Sequence, residues 1–334
     1  LIIISFYTAS MLHLALLLSL FVCLSSLLRG VEAQDETLRL FTIGDSTDRC
    51  NLQDFCEKYS GSLCNNMTCS ISTVPHQKLI SEFLNIYPKL HDKDSVTSYS
   101  WAIEFCELQE PKMRMALLFE RTGVQPYCPW HWHQGAYAEE YCQFTKSANR
   151  LITMNDTFPA LYGPVMFKMF KALGGLPHAI TMQSHLWDVS IMFHKRLHAK
   201  NCDSPKLRQP FVESWARNAS EYIQVVREMV GPKPFLVWRT GNRRPCPKEE
   251  MCKNFIMDEM NAKSENFTKA LQVHRLKYTE MLNPPCRDTI HPNQRITMDY
   301  MERLLKDIAA NVPEVRQTLE KFNSEAAERS LAKR

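Results

Sequence analysis

The chain has no dense Lys/Arg block, no internal repeat, no long low-complexity segment and only one long apolar stretch. Each absence removes a class of protein. A formal net charge of +4 without a basic cluster excludes a surface that tracks nucleic-acid phosphates. Without repeats the chain is no solenoid, and without a linker-like segment there is no place to divide it. There is no pair of CxxC motifs either, so the 12 cysteines do not read as a zinc ribbon.

What is present first fixes the compartment. From Met11 the chain runs MLHLALLLSLFVCLSSLLRGVEAQDE, an apolar stretch that breaks at Arg29-Gly30 and reaches the small-residue site Val31-Glu32-Ala33. This predicts a signal peptide over 1–33 cleaved after Ala33, with residues 1–10 read as sequence upstream of a start at Met11. The alternative is an uncleaved signal anchor, as in a type II membrane protein of the Golgi. No other stretch is long and apolar enough to cross a bilayer, so no stable span is expected after cleavage.

The cysteines agree with an oxidising compartment. With Cys23 inside the leader, eleven remain, and they read as disulfides of a secreted or lumenal protein. Close pairs such as Cys64 with Cys69, Cys128 with Cys142 and Cys246 with Cys252 suggest local loops, although spacing does not fix connectivity. Sequons at Asn66, Asn155, Asn218 and Asn266 fit the same route. About 300 mature residues from a chain that is 45% hydrophobic can bury a sizeable core, read as a single domain over 34–334.

Short apolar runs of strand length occur at 38–43 (LRLFTI), 113–119 (MRMALLF), 178–183 (HAITMQ) and 234–240 (PFLVWRT), each followed by polar or Gly-containing residues. Between them lie helical patterns. Residues 212–230 put Trp215, Tyr222, Val225, Val226 and Met229 on one side, residues 267–282 repeat the device less tidily, and the segment from 297 forms a terminal helix. Strands alternating with helices predict a mostly parallel sheet covered on both faces, with ligands beyond the carboxyl ends of the strands. The cysteine-rich 50–69 and 106–142 segments read as disulfide-pinned insertions around that opening.

The first run ends in FTIGDSTDRC, which places Ser46 at the carboxyl end of the first strand. A hydroxyl near neutral pH is a poor nucleophile and needs a base, and that base needs a group to orient it. NPPCRDTIHPN (283–293) offers both, since Asp288 and His291 stand three residues apart just before the terminal helix. In one tight turn the carboxylate can hold imidazole Nδ1 so that Nε2 faces a serine from another strand end.

IGDSTDR, LVWRTGN and DTIHPN together resemble the SGNH (GDSL-type) hydrolases, in particular their PC-esterase branch with its trichome-birefringence-like polysaccharide acetyltransferases. The resemblance spans Gly44 to His291. It implies a three-layer α/β/α flavodoxin-like fold with Ser46 as nucleophile, His291 as general base and Asp288 as orienting carboxylate. The absence of a second Gly after Gly44-Asp45-Ser46-Thr47-Asp48 sets the chain apart from α/β-hydrolases with their GxSxG elbow. It also departs from the SGNH pattern, because the GxND block that supplies an oxyanion donor is missing; QSHLWD (183–188) stands in its place and RTGN (239–242) follows the fourth strand. Candidate oxyanion donors are the backbone of Ser46, Gly123, Ser184 and Asn242.

Pocket candidates are Asp45, Arg49, Trp130, Trp132, His185, Trp187 and Arg239. Trp130 and Trp132 suit stacking on a sugar ring or lining an acyl pocket, whereas Trp238 reads as core. Arg49 and Arg239 either bind a carboxylated or sulfated glycan or a carboxylate inside the fold, or are simply solvated or salt-bridged. His131 and His133 with Glu139 and Glu140 lack a third ligand that can be placed, so no metal and no cofactor is expected. The sequence thus predicts a serine esterase acting on O-acyl, foremost O-acetyl, groups of a glycan or small ester. The alternatives are an O-acyltransferase with the same triad, or an inactive glycan-binding or structural protein on that fold.

Overall fold

The computed structural model describes residues 37–64, 103–110, 112–119, 163–185, 188–189, 204–241, 251–278, 294–316 and 318–320. Their order is β1 (Leu38–Gly44), α1 (Ser46–Lys58), β2 (Ser62–Cys64), β3 (Ile103–Leu108), β4 (Met113–Phe119), α2 (Gly163–Leu173), β5 (Ala179–Met182), α3 (Pro205–Val230), β6 (Phe235–Arg239), α4 (Met251–Ala270), β7 (His274–Leu276), α5 (Gln294–Asn311) and a 3-10 turn, Pro313–Val315. All four apolar runs expected to be strands are strands.

The strands form one seven-stranded sheet in the order β2-β3-β4-β1-β5-β6-β7. β4, β1, β5, β6 and β7 are parallel, while β3 runs antiparallel to β4 and β2 antiparallel to β3. Taken in chain order, the five parallel strands stand 2-1-3-4-5 across the sheet, which is the flavodoxin-like winding. The order reverses beside β1, between it and β5.

Alternation along each strand sorts its side chains between two helical layers. Phe41 and Ile43 of β1, Leu118, Met182 and Trp238 pack with Met166, Trp215, Tyr222 and Met260 of α2, α3 and α4. Leu38 and Leu40, Met115, Val237 and Leu276 pack instead with Phe55 of α1 and with Tyr300, Leu304 and Ile308 of α5. The result is the expected α/β/α sandwich.

Two helices differ from the sequence reading. α3 starts at Pro205, earlier than expected, because proline at the first helical position sacrifices no intrahelical bond; Pro210 is accommodated further on. The 267–282 pattern is helical only as far as Ala270 among the described residues. α4 stops at Ala270, Gln272 takes a left-handed φ of 52°, and the chain turns into β7, which pairs with β6. Leu276 and Tyr278 lie two apart and both belong to the α1/α5 core, a strand period that outweighs the irregular helical one.

A disulfide joins Cys56 of α1 to Cys106 of β3, and Cys64 is also disulfide-bonded. The described parts of the two cysteine-rich segments are therefore elements of the layered fold, tied helix to strand. Of the sequon asparagines, Asn218 is 5% exposed within α3, whereas Asn266 is exposed on α4. Asn66, Asn155 and the 1–33 leader lie outside the described residues. Among the described residues no helix is long and apolar enough to cross a membrane.

Candidate active site

Ser46 is the first residue of α1, directly beyond the carboxyl end of β1. The sequence builds this turn residue by residue. Asp45 is the N-cap, in extended conformation, and its Oδ1 accepts the Thr47 N–H at 2.8 Å. Asp48, three residues on, returns the favour by accepting the Asp45 N–H at 3.1 Å, so the two aspartates form a reciprocal capping box. The cap uses the N–H groups of Thr47 and Asp48 and leaves that of Ser46 outside it. Gly44 is required by close approach, since a Cβ there would run into the Asp48 carboxylate.

Arg239, the last residue of β6, meets that carboxylate with one hydrogen bond and a second close ionic contact. Nη2 donates to Asp48 Oδ2 at 2.7 Å, and Nε lies 2.7 Å from Oδ1. Nη2 is also 3.6 Å from Asp45 Oδ1, and Nη1 donates to the Thr240 carbonyl at 3.2 Å. The guanidinium sits over the Tyr278 ring, 5.0 Å from its centre. Asp45 and Arg239 are each 1% exposed and Asp48 3%. Burial pushes the Asp48 carboxyl up, against the opposing pull of Arg239. For Arg239, burial works downward but the charges of Asp48 and Asp45 overcome it, so its proton is held more tightly than usual.

The adjoining strand ends are fixed in the same way. At the end of β5 the Gln183 N–H donates to the Ile43 carbonyl at 3.3 Å, and the Gln183 side chain accepts the His185 N–H at 3.0 Å. Ser184 Oγ accepts from Trp215 Nε1 at 3.1 Å. Beyond β6, the Thr240 N–H donates to Leu276 O at 3.0 Å and Thr240 Oγ1 accepts the Tyr278 N–H at 2.8 Å. Tyr278 Oη donates to Asn51 of α1 at 3.2 Å.

Of the residues singled out in the sequence, Asp45, Ser46, Ser184, His185 and Arg239 thus cluster around the carboxyl ends of β1, β5 and β6. Arg239 is salt-bridged within the protein, one of the readings considered for it. Asp45, His185 and Arg239 are interior groups, with His185 fully buried. Arg49 is partly buried on α1, and Trp238 is core, as expected. Asp288, His291, Gly123, Asn242, Trp130, Trp132, Trp187 and the 128–142 histidines lie outside the described residues. Asp48, Asn51 and Tyr278 were not anticipated. For Asp48 the signal was there, since an acidic residue three after an Asp N-cap has the capping-box spacing.

His185 carries a pH prediction. Its ring packs against Trp215 and Trp238, with centroids 4.8 and 5.6 Å away, and Gly241 passes so close that a Cβ there would strike it. Among the described residues neither ring nitrogen has a hydrogen-bond partner. Burial, then the positive charges of Arg239 and Arg275, hold its pKa well below the ordinary 6.5. The folded state therefore keeps His185 neutral while the unfolded chain takes up a proton below about 6.5, so this contribution is complete above that pH and is lost as pH falls. By pH 5 the loss should be at most about 2 kcal/mol, and His185→Leu should flatten that part of the profile in urea titrations at pH 7.5 and 5. An equal acid slope in the variant would count against it.

No family model matches the chain, and no curated protein matches it. Solved structures that overlap with it include a carbohydrate acetylesterase from Sinorhizobium meliloti, at 10% identity over 82% of this chain and 99% of that one, with a TM-score of 0.41. The aryl esterase of M. smegmatis gives 10% identity, the same two coverages and 0.40. An acetylxylan esterase from Geobacillus stearothermophilus gives 10%, 81% and 94% coverage, and 0.39. A flavodoxin-like α/β/α sandwich with a serine directly beyond its first strand is the architecture that resemblance to the SGNH hydrolases implies.

Proposed function

We propose that the protein is a carboxylic ester hydrolase of SGNH type, secreted or lumenal, that removes O-acyl and foremost O-acetyl groups from a glycan or another ester. One observation carries the reading: Ser46 opens a 13-residue helix at the carboxyl end of β1, beside the reversal of strand order. In open α/β sheets that crevice is where ligands bind. Ser46 Oγ attacks the acyl carbon while His291, oriented by Asp288, takes its proton and delivers it to the leaving alcohol; water then releases the acyl group. The Ser46 N–H, left outside the cap at the positive end of α1, suits a developing oxyanion. Gly123, Ser184 and Asn242 complete the set of donors; the Ser184 hydroxyl accepts from Trp215 and keeps its own proton to donate.

A fluorophosphonate probe should label the native protein at Ser46. Labelling should vanish in Ser46→Ala, collapse in His291→Ala, and fall by up to roughly ten-thousandfold in Asp288→Asn through loss of the correct tautomer. Acetate release from an acetylated glycan, with and without an acceptor sugar, separates hydrolysis from acyl transfer. Folded protein that resists the probe, with Ser46→Ala binding glycan as wild type does, would sink the enzyme reading in favour of a binding protein.

A further inference from the structure

The ion pair of Asp48 and Arg239 is unusual in position. Val237 faces the α1/α5 layer, so Arg239, two residues on, leaves the sheet on that same side. β5 lies between β6 and β1, and Arg239 reaches across it to the first turn of α1. There Asp48 is shared, one carboxylate holding the guanidinium and the N–H of the residue immediately before Ser46.

Stability alone does not call for this arrangement. A buried ion pair is often no more stabilising than apolar residues of similar volume, whereas a charge-assisted hydrogen bond between Arg and a carboxylate fixes the geometry of the groups that it joins. The same guanidinium rests on Tyr278, which stands ten residues before Asp288 in the sequence.

We infer that Asp48 and Arg239 are positioning residues that clamp the first turn of α1 to β6 and so fix the backbone of Ser46. The inference rests on Ser46 being the nucleophile. Neither residue touches substrate, since both are interior. Arg239→Lys is the informative variant, because it keeps the charge and loses the fork. Asp48→Asn is its counterpart, keeping shape and an acceptor oxygen while losing charge.

The test uses the full chain and two readouts. In Arg239→Lys and Asp48→Asn, fluorophosphonate labelling of Ser46 and kcat on p-nitrophenyl acetate should fall on the order of a hundredfold, the cost of a misplacement near 1 Å, with KM within about twofold. Hydrogen exchange in the 44–48 segment should quicken in both, and in the wild type the Asp45 amide should be protected. Folded variants that label at the wild-type rate overturn the inference. So does an unprotected Asp45 amide in a probe-reactive wild type, which holds even where neither variant folds. A wild type that resists the probe while its Asp45 amide is protected instead defeats the nucleophile assignment, and the catalytic role of the clamp with it.

Discussion

Arg239→Met should lower the free energy of unfolding by about 3–5 kcal/mol, the range for removing one partner of a buried ion pair. Methionine supplies an apolar stem but no charge, so Asp48 and Asp45 are left with carboxylates that are buried, close and uncompensated. The pH dependence identifies the cause. Burial already raises the Asp48 pKa, and without Arg239 only the hydrogen bond from the Asp45 N–H still opposes that rise. The folded variant then binds a proton more tightly than the unfolded chain does. This contribution is fully present at low pH and is lost as pH rises through the folded-state pKa, so the deficit against wild type should shrink between pH 7.5 and 5.5. Urea titrations at the two pH values measure this, with the m-value unchanged if the native state keeps its compactness. Lys263 and Glu213 serve as the control pair, being 3.9 Å apart with side chains 43% and 52% exposed. Lys263→Met should cost no more than about 1 kcal/mol, because water and salt screen exposed charges. A similar small effect at Arg239 would mean that the buried pair is not holding its charges.

The frame of the fold was readable because it rests on local pattern. Leu38–Gly44, Met113–Phe119 and Phe235–Arg239 are short apolar runs closed by polar or glycine residues, and their alternation sends neighbouring side chains into different layers. Ser46 followed from the first of these runs. The partners of Asp48 did not, because 191 residues separate it from Arg239 and no local rule links a helix cap to a distant strand end. α4 and β7 were misread for a related reason. The apolar residues after Phe267 serve two cores, Leu271 one and Leu276 with Tyr278 the other, so the sequence showed a blurred period where the chain changes direction. The Asn218 sequon shows the converse limit: the motif is local, but how exposed its asparagine is depends on packing that the motif does not encode.

Removing the Cys56–Cys106 disulfide should cost about as much as removing Arg239. The two cysteines are 50 apart in sequence, and closing a loop of that length restricts the unfolded chain by roughly 4 kcal/mol on the chain-entropy account. Local packing adds to the case. Both residues are 1% exposed, the Gly61 N–H donates to the Cys56 carbonyl at 2.7 Å, and a Cβ on Gly61 would collide with Leu108 and crowd Cys56 Sγ. The bond also bears on Ser46. Cys56 lies ten residues along α1 from it, about 15 Å at 1.5 Å per residue, so the disulfide fastens one end of the helix to β3 while Arg239 fastens the other to β6. Because Cys64 is in a disulfide of its own, general reduction would mix effects, and Cys56→Ala with Cys106→Ala isolates this one. The double variant should melt about 8–16 °C below wild type for a domain of this size. Labelling of Ser46 should change little at 25 °C and fall away at the lower melting point, since the clamp at the helix N-terminus is intact. Peptide mapping of the freshly isolated protein should recover residues 56 and 106 in one linked fragment. Unlinked thiols at both positions, or a double variant that melts with the wild type, would refute the role of the bond, and the first result would also remove the support the cysteines give to an oxidising compartment.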